Sequence, residues 1–97
     1  MRVIVLSPRA QADLDRLRSF LAEKSIRASQ EAVARIVSGI DLLLLFPEIG
    51  VPLRGGVRTH FLKVRRRAYV VRYRIVGKEI QILRIWHSRE RRPRSRR

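Results

Sequence analysis

The thirty residues 58–87, RTHFLKVRRRAYVVRYRIVGKEIQILRIWH, constrain this chain more than any other stretch. β-Branched and aromatic residues dominate it. Three strands are predicted in succession, over 58–64, 68–76 and 79–86, with Gly77-Lys78 as a tight turn between the last two. The same stretch carries Arg58, Arg65, Arg66, Arg67, Arg72, Arg74 and Arg84. A meander of apolar residues studded with guanidinium groups implies a sheet with one dry face and one face suited to anions.

What precedes the meander reads as cover for the dry face. Val3–Leu6 is a short apolar strand paired on at least one side. Ser7-Pro8 starts a helix, with Ser as N-cap and Pro at the first helical position, where a missing N–H costs nothing. In that helix Ala10, Leu14, Leu17 and Leu21 share a stripe with Phe20 beside it, while Arg9, Asp13, Arg16 and Glu23 face away. The pattern lapses over 25–29, which reads as a loop. A second helix is expected over 29–46, burying Val33, Ile36, Val37, Ile40, Leu43 and Leu44. It stops at Phe46-Pro47 because proline cannot continue the ladder. The apolar block 42–46 is wider than one stripe, so it is covered from both sides or meets a partner.

Pro47, Gly50, Pro52 and Gly55-Gly56 punctuate a loop into the meander. There, Leu62 and Val64 oppose Phe61, Lys63 and Arg65. Tyr69, Val71, Tyr73 and Ile75 share a face opposite Arg72 and Arg74. The last strand sets Ile80 and Ile82 on one side and Leu83 and Ile85 on the other, which implies a central or twisted strand. The order β-α-α-β-β-β predicts an α+β domain over 1–87, a helical hairpin packed on a small, mainly antiparallel, curved sheet. Residues 88–97, SRERRPRSRR, hold six arginines and no apolar residue. That tail is expected to be disordered unless bound. No internal repeat is visible.

Charge narrows the partners. The chain has 97 residues and a formal net charge of +15. Residues 1–50 carry seven Lys/Arg against six Asp/Glu, whereas residues 51–97 carry sixteen against two. Twenty arginines against three lysines favour planar, bidentate recognition of phosphate or carboxylate. A GC-rich genome would also raise arginine over lysine, but it would not produce the asymmetry between the halves. Nucleic acid, a ribosome or an acidic protein are the partners such a surface finds. The absence of cysteine excludes disulfides and thiolate metal sites. Two histidines, His60 and His87, are too few for a histidine-based metal site without carboxylate help. No apolar run reaches the length of a membrane span and no signal-peptide pattern opens the chain, so a cytoplasmic protein is expected.

Several of these pieces, taken in order, resemble the RelE/ParE toxins of bacterial type II toxin–antitoxin systems, nearer to ParE. The pieces are Ser7-Pro8-Arg9-Ala10-x-x-Asp13-Leu14, Leu45-Phe46-Pro47-Glu48-Ile49-Gly50, Arg58, Tyr69-Val70-Val71-Arg72-Tyr73-Arg74-Ile75 and Ile82-Leu83-Arg84-Ile85-Trp86-His87-Ser88-Arg89. The resemblance implies a small toxin neutralised by an antitoxin that wraps it in a joint oligomer, with no cofactor and no metal. An acidic segment with hydrophobic anchors suits both the charge and the 42–46 ridge, where Leu42, Leu45 and Phe46 are the expected antitoxin contacts.

The superfamily divides by mechanism. ParE-like members poison DNA gyrase without a catalytic residue of their own. RelE-like members cleave mRNA on the ribosome, which needs a base, an acid and cations on the phosphorane-like transition state. For cleavage the resemblance offers Arg58 and Arg65 as a phosphate clamp and His87 at the end of the last strand. Glu48 sits near a position where some members carry a carboxylate. A terminal tyrosine and the lysine pair of the RelE type are missing, which favours a gyrase inhibitor over a ribosome-dependent endoribonuclease. A basic nucleic-acid-binding module without toxicity is a further alternative. Arg58, Arg65, Arg72, Arg74, Arg84, Arg89, Arg91 and Arg92 are the expected target-binding residues in any of these. The bland alternatives are that His87 is a strand-end residue bonded to the backbone, that Arg72 and Arg74 form a solvated strand face, and that Tyr69 and Tyr73 are core.

Overall fold

The computed structural model describes residues 1–90. Strand β1 is Val3–Leu6, helix α1 Pro8–Ala22 and helix α2 Ile26–Asp41, followed by a 3₁₀ turn at Leu42–Leu44. Then come β2 (Val51–Pro52), a second 3₁₀ turn at Arg54–Gly56, β3 (Val57–Val64), β4 (Arg67–Val76) and β5 (Glu79–His87). The five strands form one mixed sheet in the order β1-β5-β4-β3-β2, with β1 parallel to β5 and the other neighbours antiparallel. The helical hairpin covers one face, and the core between the layers holds Leu14, Leu17, Ile36, Ile40, Tyr69 and Tyr73 among others. The α+β architecture expected from the sequence is the one observed, with β2 as an added two-residue edge strand. Pro52 suits an edge, where no ladder partner needs its missing N–H.

Both helix starts follow local chemistry. Ser7 Oγ accepts from the Ala10 N–H at 3.0 Å, with Pro8 opening α1, and Ser25 Oγ accepts from the Ala28 N–H at 3.1 Å. The second cap moves the start of α2 back to Ile26, so the expected loop over 25–29 shrinks to a short turn. Its end moves as well. The α-helix closes at Asp41, and the Leu42 carbonyl then accepts from both Leu45 and Phe46 N–H groups. This tightening drives Leu43 into the core and turns Leu44 out.

The buried stripe of α2 is Ser29, Ala32, Ile36 and Ile40, continued by Leu43 in the 3₁₀ turn. Val37 and Leu44, expected inside, are exposed, because small residues carry the close approach. Ser29 Oγ donates to the Arg18 carbonyl of α1 at 2.9 Å. A Cβ on Gly39 would stand 2.4 Å from Leu62 Cδ2, so this glycine lets α2 rest on β3.

Strand β5 keeps Ile80, Ile82 and Ile85 all buried, which strict alternation forbids. A bulge resolves the conflict: Tyr73 pairs with Ile82, while Arg72 pairs with Arg84. One extra residue on β5 flips the parity, so Ile82 and Ile85 both meet the helices. The Gly77-Lys78 turn is as expected, with Gly77 at φ 59°. At the other hairpin Arg65 takes φ 59°, a left-handed conformation costing a side chain about 1–2 kcal/mol, and Val64 pairs with Arg67 across the turn.

Asp13, expected on the solvent face of α1, is buried instead. β1 covers β5 only as far as Ile82, so the edge beyond it needs other partners. The Ser7 N–H and Oγ donate to the Ile82 and Leu83 carbonyls at 2.9 and 3.0 Å. The Ile85 N–H donates to Asp13 Oδ2 at 2.8 Å, and the His87 N–H donates to Glu90 Oε1 at 2.7 Å. Arg84 adds Nε to Oδ2 at 2.8 Å and Nη2 to Oδ1 at 3.1 Å, so the buried carboxylate is neutralised. Replacing Asp13 by Ala leaves a buried N–H and a half-buried guanidinium without their acceptor. Urea denaturation of Asp13→Ala should show a loss of about 2–4 kcal/mol.

Candidate functional site

The arginines singled out from the sequence have different fates in the fold. Arg58, at the start of β3, reaches across the loop after α2: its Nη1 donates to the carbonyls of Glu48 at 3.0 Å and Gly50 at 2.8 Å. The same loop is gripped by Tyr73, whose hydroxyl donates to the Pro47 carbonyl at 2.6 Å and accepts from the Gly50 N–H at 2.9 Å. A Cβ on Gly50 would come within 2.7 Å of the Tyr73 ring, so only glycine fits there. Arg58 therefore shapes the loop that contains Glu48.

Arg65, at the tip of the β3–β4 hairpin, lies beside Glu31 of α2, with Nε at 3.1 and 3.0 Å from its two carboxylate oxygens and Nη2 at 3.0 Å. The hydrogen bond from Arg65 holds the Glu31 carboxyl below its ordinary range, helped by the charges of Arg65, Arg35 and Arg27. Arg58 and Arg65 stand at opposite ends of β3, separated along the strand by roughly 20 Å. They do not share a phosphate-sized site.

His87 ends β5 opposite Tyr69, their rings edge-to-face at 5.2 Å between centroids. Its Nδ1 accepts from the Arg89 backbone N–H at 3.0 Å, so a neutral ring carries its proton on Nε2. Burial lowers its pKa and the charges of Arg67 and Arg89 lower it further, against an opposing effect of Glu90. His60 faces the core from β3; burial lowers its pKa, and its Nε2 is buried without a partner among the described residues.

Arg84 is committed to Asp13. Burial pushes the Asp13 carboxyl upward, but the hydrogen bonds from Arg84 and the Ile85 N–H, with the charges of Arg84 and Arg16, outweigh it and leave it below its ordinary value. On the face away from the helices, the Arg72 guanidinium lies 5.0 Å from the centroid of the buried Trp86 ring. Arg74 and Arg89 are exposed. Residues 88–90 form a turn in which Glu90 also pairs with Arg16 of α1. Arg91, Arg92 and the rest of the tail, 91–97, lie outside the described residues. Tyr69 and Tyr73 are fully buried, as core residues.

A second feature is apolar. Where α2 gives way to its 3₁₀ turn, Leu42, Leu44, Leu45, Phe46 and Ile49 are exposed, Leu45 to 74% and Phe46 to 55%. The run lies next to the loop held by the Tyr73 and Arg58 bonds. Among the described residues no helix is long and apolar enough to cross a membrane.

The comparison with known proteins decides the family. Residues 4–92 match the family described as ParE toxin of type II toxin–antitoxin system, parDE. The chain belongs to the ParE toxin family. Among its relatives, toxin RelE1 of Caulobacter vibrioides is 32% identical over 89 residues, covering 92% of this chain and 96% of RelE1. Toxin RelE3 of the same organism is 32% identical over 92 residues, covering 95% and 100%. A solved chain from the chromosomal ParDE system of P. aeruginosa is similar with a TM-score of 0.72 and 31% identity, covering 90% of this chain and 96% of that one. The ParE/RelE resemblance read from the sequence thus holds, and the chain is a type II toxin of that superfamily. Sequence reasoning missed Asp13, whose role depends on how far β1 extends along β5. It also missed Tyr73 as the loop's anchor; the nearest signal was a tyrosine at an otherwise aliphatic core position.

The acid limb of this ParE-family toxin's stability follows from the shifts above. The two histidines have folded-state values below their ordinary ~6.5, so the folded state binds fewer protons there than the unfolded chain. Their contribution is complete above about pH 6.5 and is lost as pH falls through the depressed folded values. Asp13 behaves alike, with its contribution complete above about pH 4 and lost below that. The melting temperature should therefore drop in two stages on acidification. In His60→Gln/His87→Gln the first stage should vanish while the second remains, which a thermal-melt series from pH 8 to about pH 3 reads directly.

Proposed function

We propose that this ParE-family toxin acts in the cytoplasm as a non-catalytic inhibitor of DNA gyrase and is held inactive by a cognate antitoxin. The observation that carries this reading is the separation of Arg58, Arg65 and His87, the three residues offered for RNA cleavage. Arg58 serves two loop carbonyls, Arg65 serves Glu31 at the far end of the strand, and His87 spends Nδ1 on its own turn. General acid–base cleavage needs such groups around one phosphate. Inhibition of a protein–DNA machine needs only a surface, and the exposed arginines Arg74 and Arg89, continued in sequence by Arg91 and Arg92, supply cations for it. The second reading, a ribosome-dependent mRNA endoribonuclease, is favoured by the name RelE carried by the Caulobacter relatives.

The antitoxin contact assigned to this surface is the ridge of Leu42, Leu45 and Phe46. Its neighbours Leu44 and Ile49 extend it, and Leu45 at the crest is where truncation or charge costs most.

A supercoiling assay with purified gyrase at near-physiological salt tests the target. Inhibition relieved by the antitoxin is expected, and His87→Ala should inhibit within about twofold of the parent. An RNase would lose on the order of 10²–10⁴ in rate from the same substitution. Cleavage of ribosome-bound mRNA without any effect on gyrase would reverse the assignment. Separately, Leu45→Glu should weaken antitoxin affinity by about 30-fold or more in titration calorimetry while leaving the melting temperature unchanged, since the side chain is mostly exposed already.

A further inference from the structure

The chain makes an ordered turn at the end of β5, and residues 87–90 place all four of their backbone N–H groups on acceptors within the protein. The His87 N–H donates to Glu90 Oε1 at 2.7 Å and the Ser88 N–H to the Ala68 carbonyl of β4 at 2.8 Å. The Arg89 N–H donates to His87 Nδ1 at 3.0 Å and the Glu90 N–H to the His87 carbonyl at 2.9 Å. The Glu90 carboxylate then ties the turn to α1 by pairing with Arg16. Arg16 lies 3.5 Å from Asp13, which in turn holds Arg84 and the Ile85 N–H.

Core packing does not account for this order. Residues 88–90 are polar, Ser88 and Arg89 are exposed, and none of the three belongs to the buried core cluster. Polar segments outside a core ordinarily fray, because fixing each residue has an entropic cost that packing must offset. Closing the edge of β5 requires one of the four bonds, the one from the His87 N–H. The others fix where Arg89 stands, which is beside Arg66 and Arg67 of the hairpin tip on one shared groove. None of these three arginines has a carboxylate partner among the described residues. Gathering like charges is unfavourable by itself, so the turn acts against the field of the cations it holds. Residues 51–97 contain two carboxylates, Glu79 and Glu90, and one of them is spent on this turn.

Building on the target-binding reading above, we infer that Glu90 is a positioning residue for target engagement. Through its tie to Arg16 it holds Arg89 against the hairpin tip, so that Arg66, Arg67 and Arg89 meet the target as one cluster of fixed geometry. A polyelectrolyte responds to net charge alone, whereas a placed cluster responds to geometry. Glu90→Gln raises the net charge and Arg16→Gln lowers it, yet both cut the same tie. Glu90→Gln also keeps a side-chain carbonyl for the His87 N–H, so the edge of β5 stays closed. The ion pair it removes is partly exposed and contributes little to stability. The Arg89 N–H bond to His87 lies at the surface, where water replaces it, so the imidazole is not the tie.

The test compares the full-length parent, Glu90→Gln, Arg16→Gln and the double variant in the supercoiling assay at near-physiological salt. Each single variant should need about tenfold more protein for half inhibition, and the double variant no more than either. Glu79→Gln, the same charge change outside the turn, should stay within about twofold of the parent. Melting temperatures should stay within about 3 °C of the parent. Opposite shifts in the two single variants would mark a response to net charge and overturn the inference. Unchanged inhibition by Glu90→Gln, or additive losses in the double variant, would do the same. So would a loss of antitoxin affinity with inhibition intact, which would assign the turn to the antitoxin. If the parent leaves gyrase unaffected, the target assignment fails by itself, and the same proteins are compared in cleavage of ribosome-bound mRNA. Amide hydrogen exchange reads the tie without any target. The Ser88 N–H should exchange about tenfold faster in both single variants, and equal exchange in parent and variants overturns the inference whichever target is bound.

Discussion

The fold depends on how the exposed half of β5's edge is closed. A four-residue strand, β1, cannot cover a nine-residue one, and an uncovered run of N–H groups at the edge of a small sheet is both unstable and adhesive. Local groups close the gap where strand is lacking: the Ser7 N–H and Oγ on two carbonyls, Asp13 on the Ile85 N–H and Glu90 on the His87 N–H. Two of these three belong to the start of α1 and its cap. The helix therefore cannot slide or rotate without unmaking the edge, and the α1–β5 relation fixes the hairpin against the sheet. Arg84 is what makes a buried carboxylate tolerable at that position.

A second set of constraints sets the shape of the other side. The bulge in β5 gives the core Ile82 and Ile85 together, which thickens the dry face where α1 crosses it. Tyr73, opposite Ile82, uses its hydroxyl to hold the loop after α2, and Gly50 allows the loop backbone to lie against its ring. Arg58 completes the grip from β3. The apolar residues 42–49 are thereby presented outward on a fixed loop. A ridge fixed in this way would cost less entropy to bind than a floppy one.

Strands β1 and β3–β5, the two-residue turn at Gly77, the first N-cap and the Tyr69–Val71–Tyr73 core face were legible in the sequence because each follows from a period of two or a local hydrogen bond; the edge strand β2 was read as loop. The parity conflict in 79–86 was legible too, as an unresolved one. What resolves it, a bulge, is a property of pairing with β4 and has no local signature. Asp13 was misread for the same reason: on the helix alone it lies beside arginines on the polar side, and only the length of β1 makes its position interior. Val37 and Leu44 were assigned to the core on hydrophobicity, whereas Ser29, Ala32 and Gly39 took the contact because close helix approach rewards small residues. In the candidate site, the arginines announced positive charge plainly. Which of them would be spent inside the domain was not written in any local pattern.

That spending follows a rule. The first half of the chain is nearly neutral and the second strongly basic. Two of the carboxylates in the first half, Asp13 and Glu31, reach across to Arg84 and Arg65 of the second. Each pair joins a helix to a strand or hairpin tip, so these charges act as ties between the two layers. The exposed Glu31 pair adds little to stability, but it orients the hairpin tip. With few acids to go round, the remaining cations stay unneutralised at the places the ties do not reach: the hairpin tip at Arg66 and Arg67, the turn at Arg89 and the strand face at Arg74. Net charge alone would have spread the positive field over the whole second half. The pairing instead leaves it in separate places: Arg66, Arg67 and Arg89 at the hairpin-tip end, away from the apolar ridge, and Arg74, which pairs with Val57, toward the ridge end on the opposite face of the sheet.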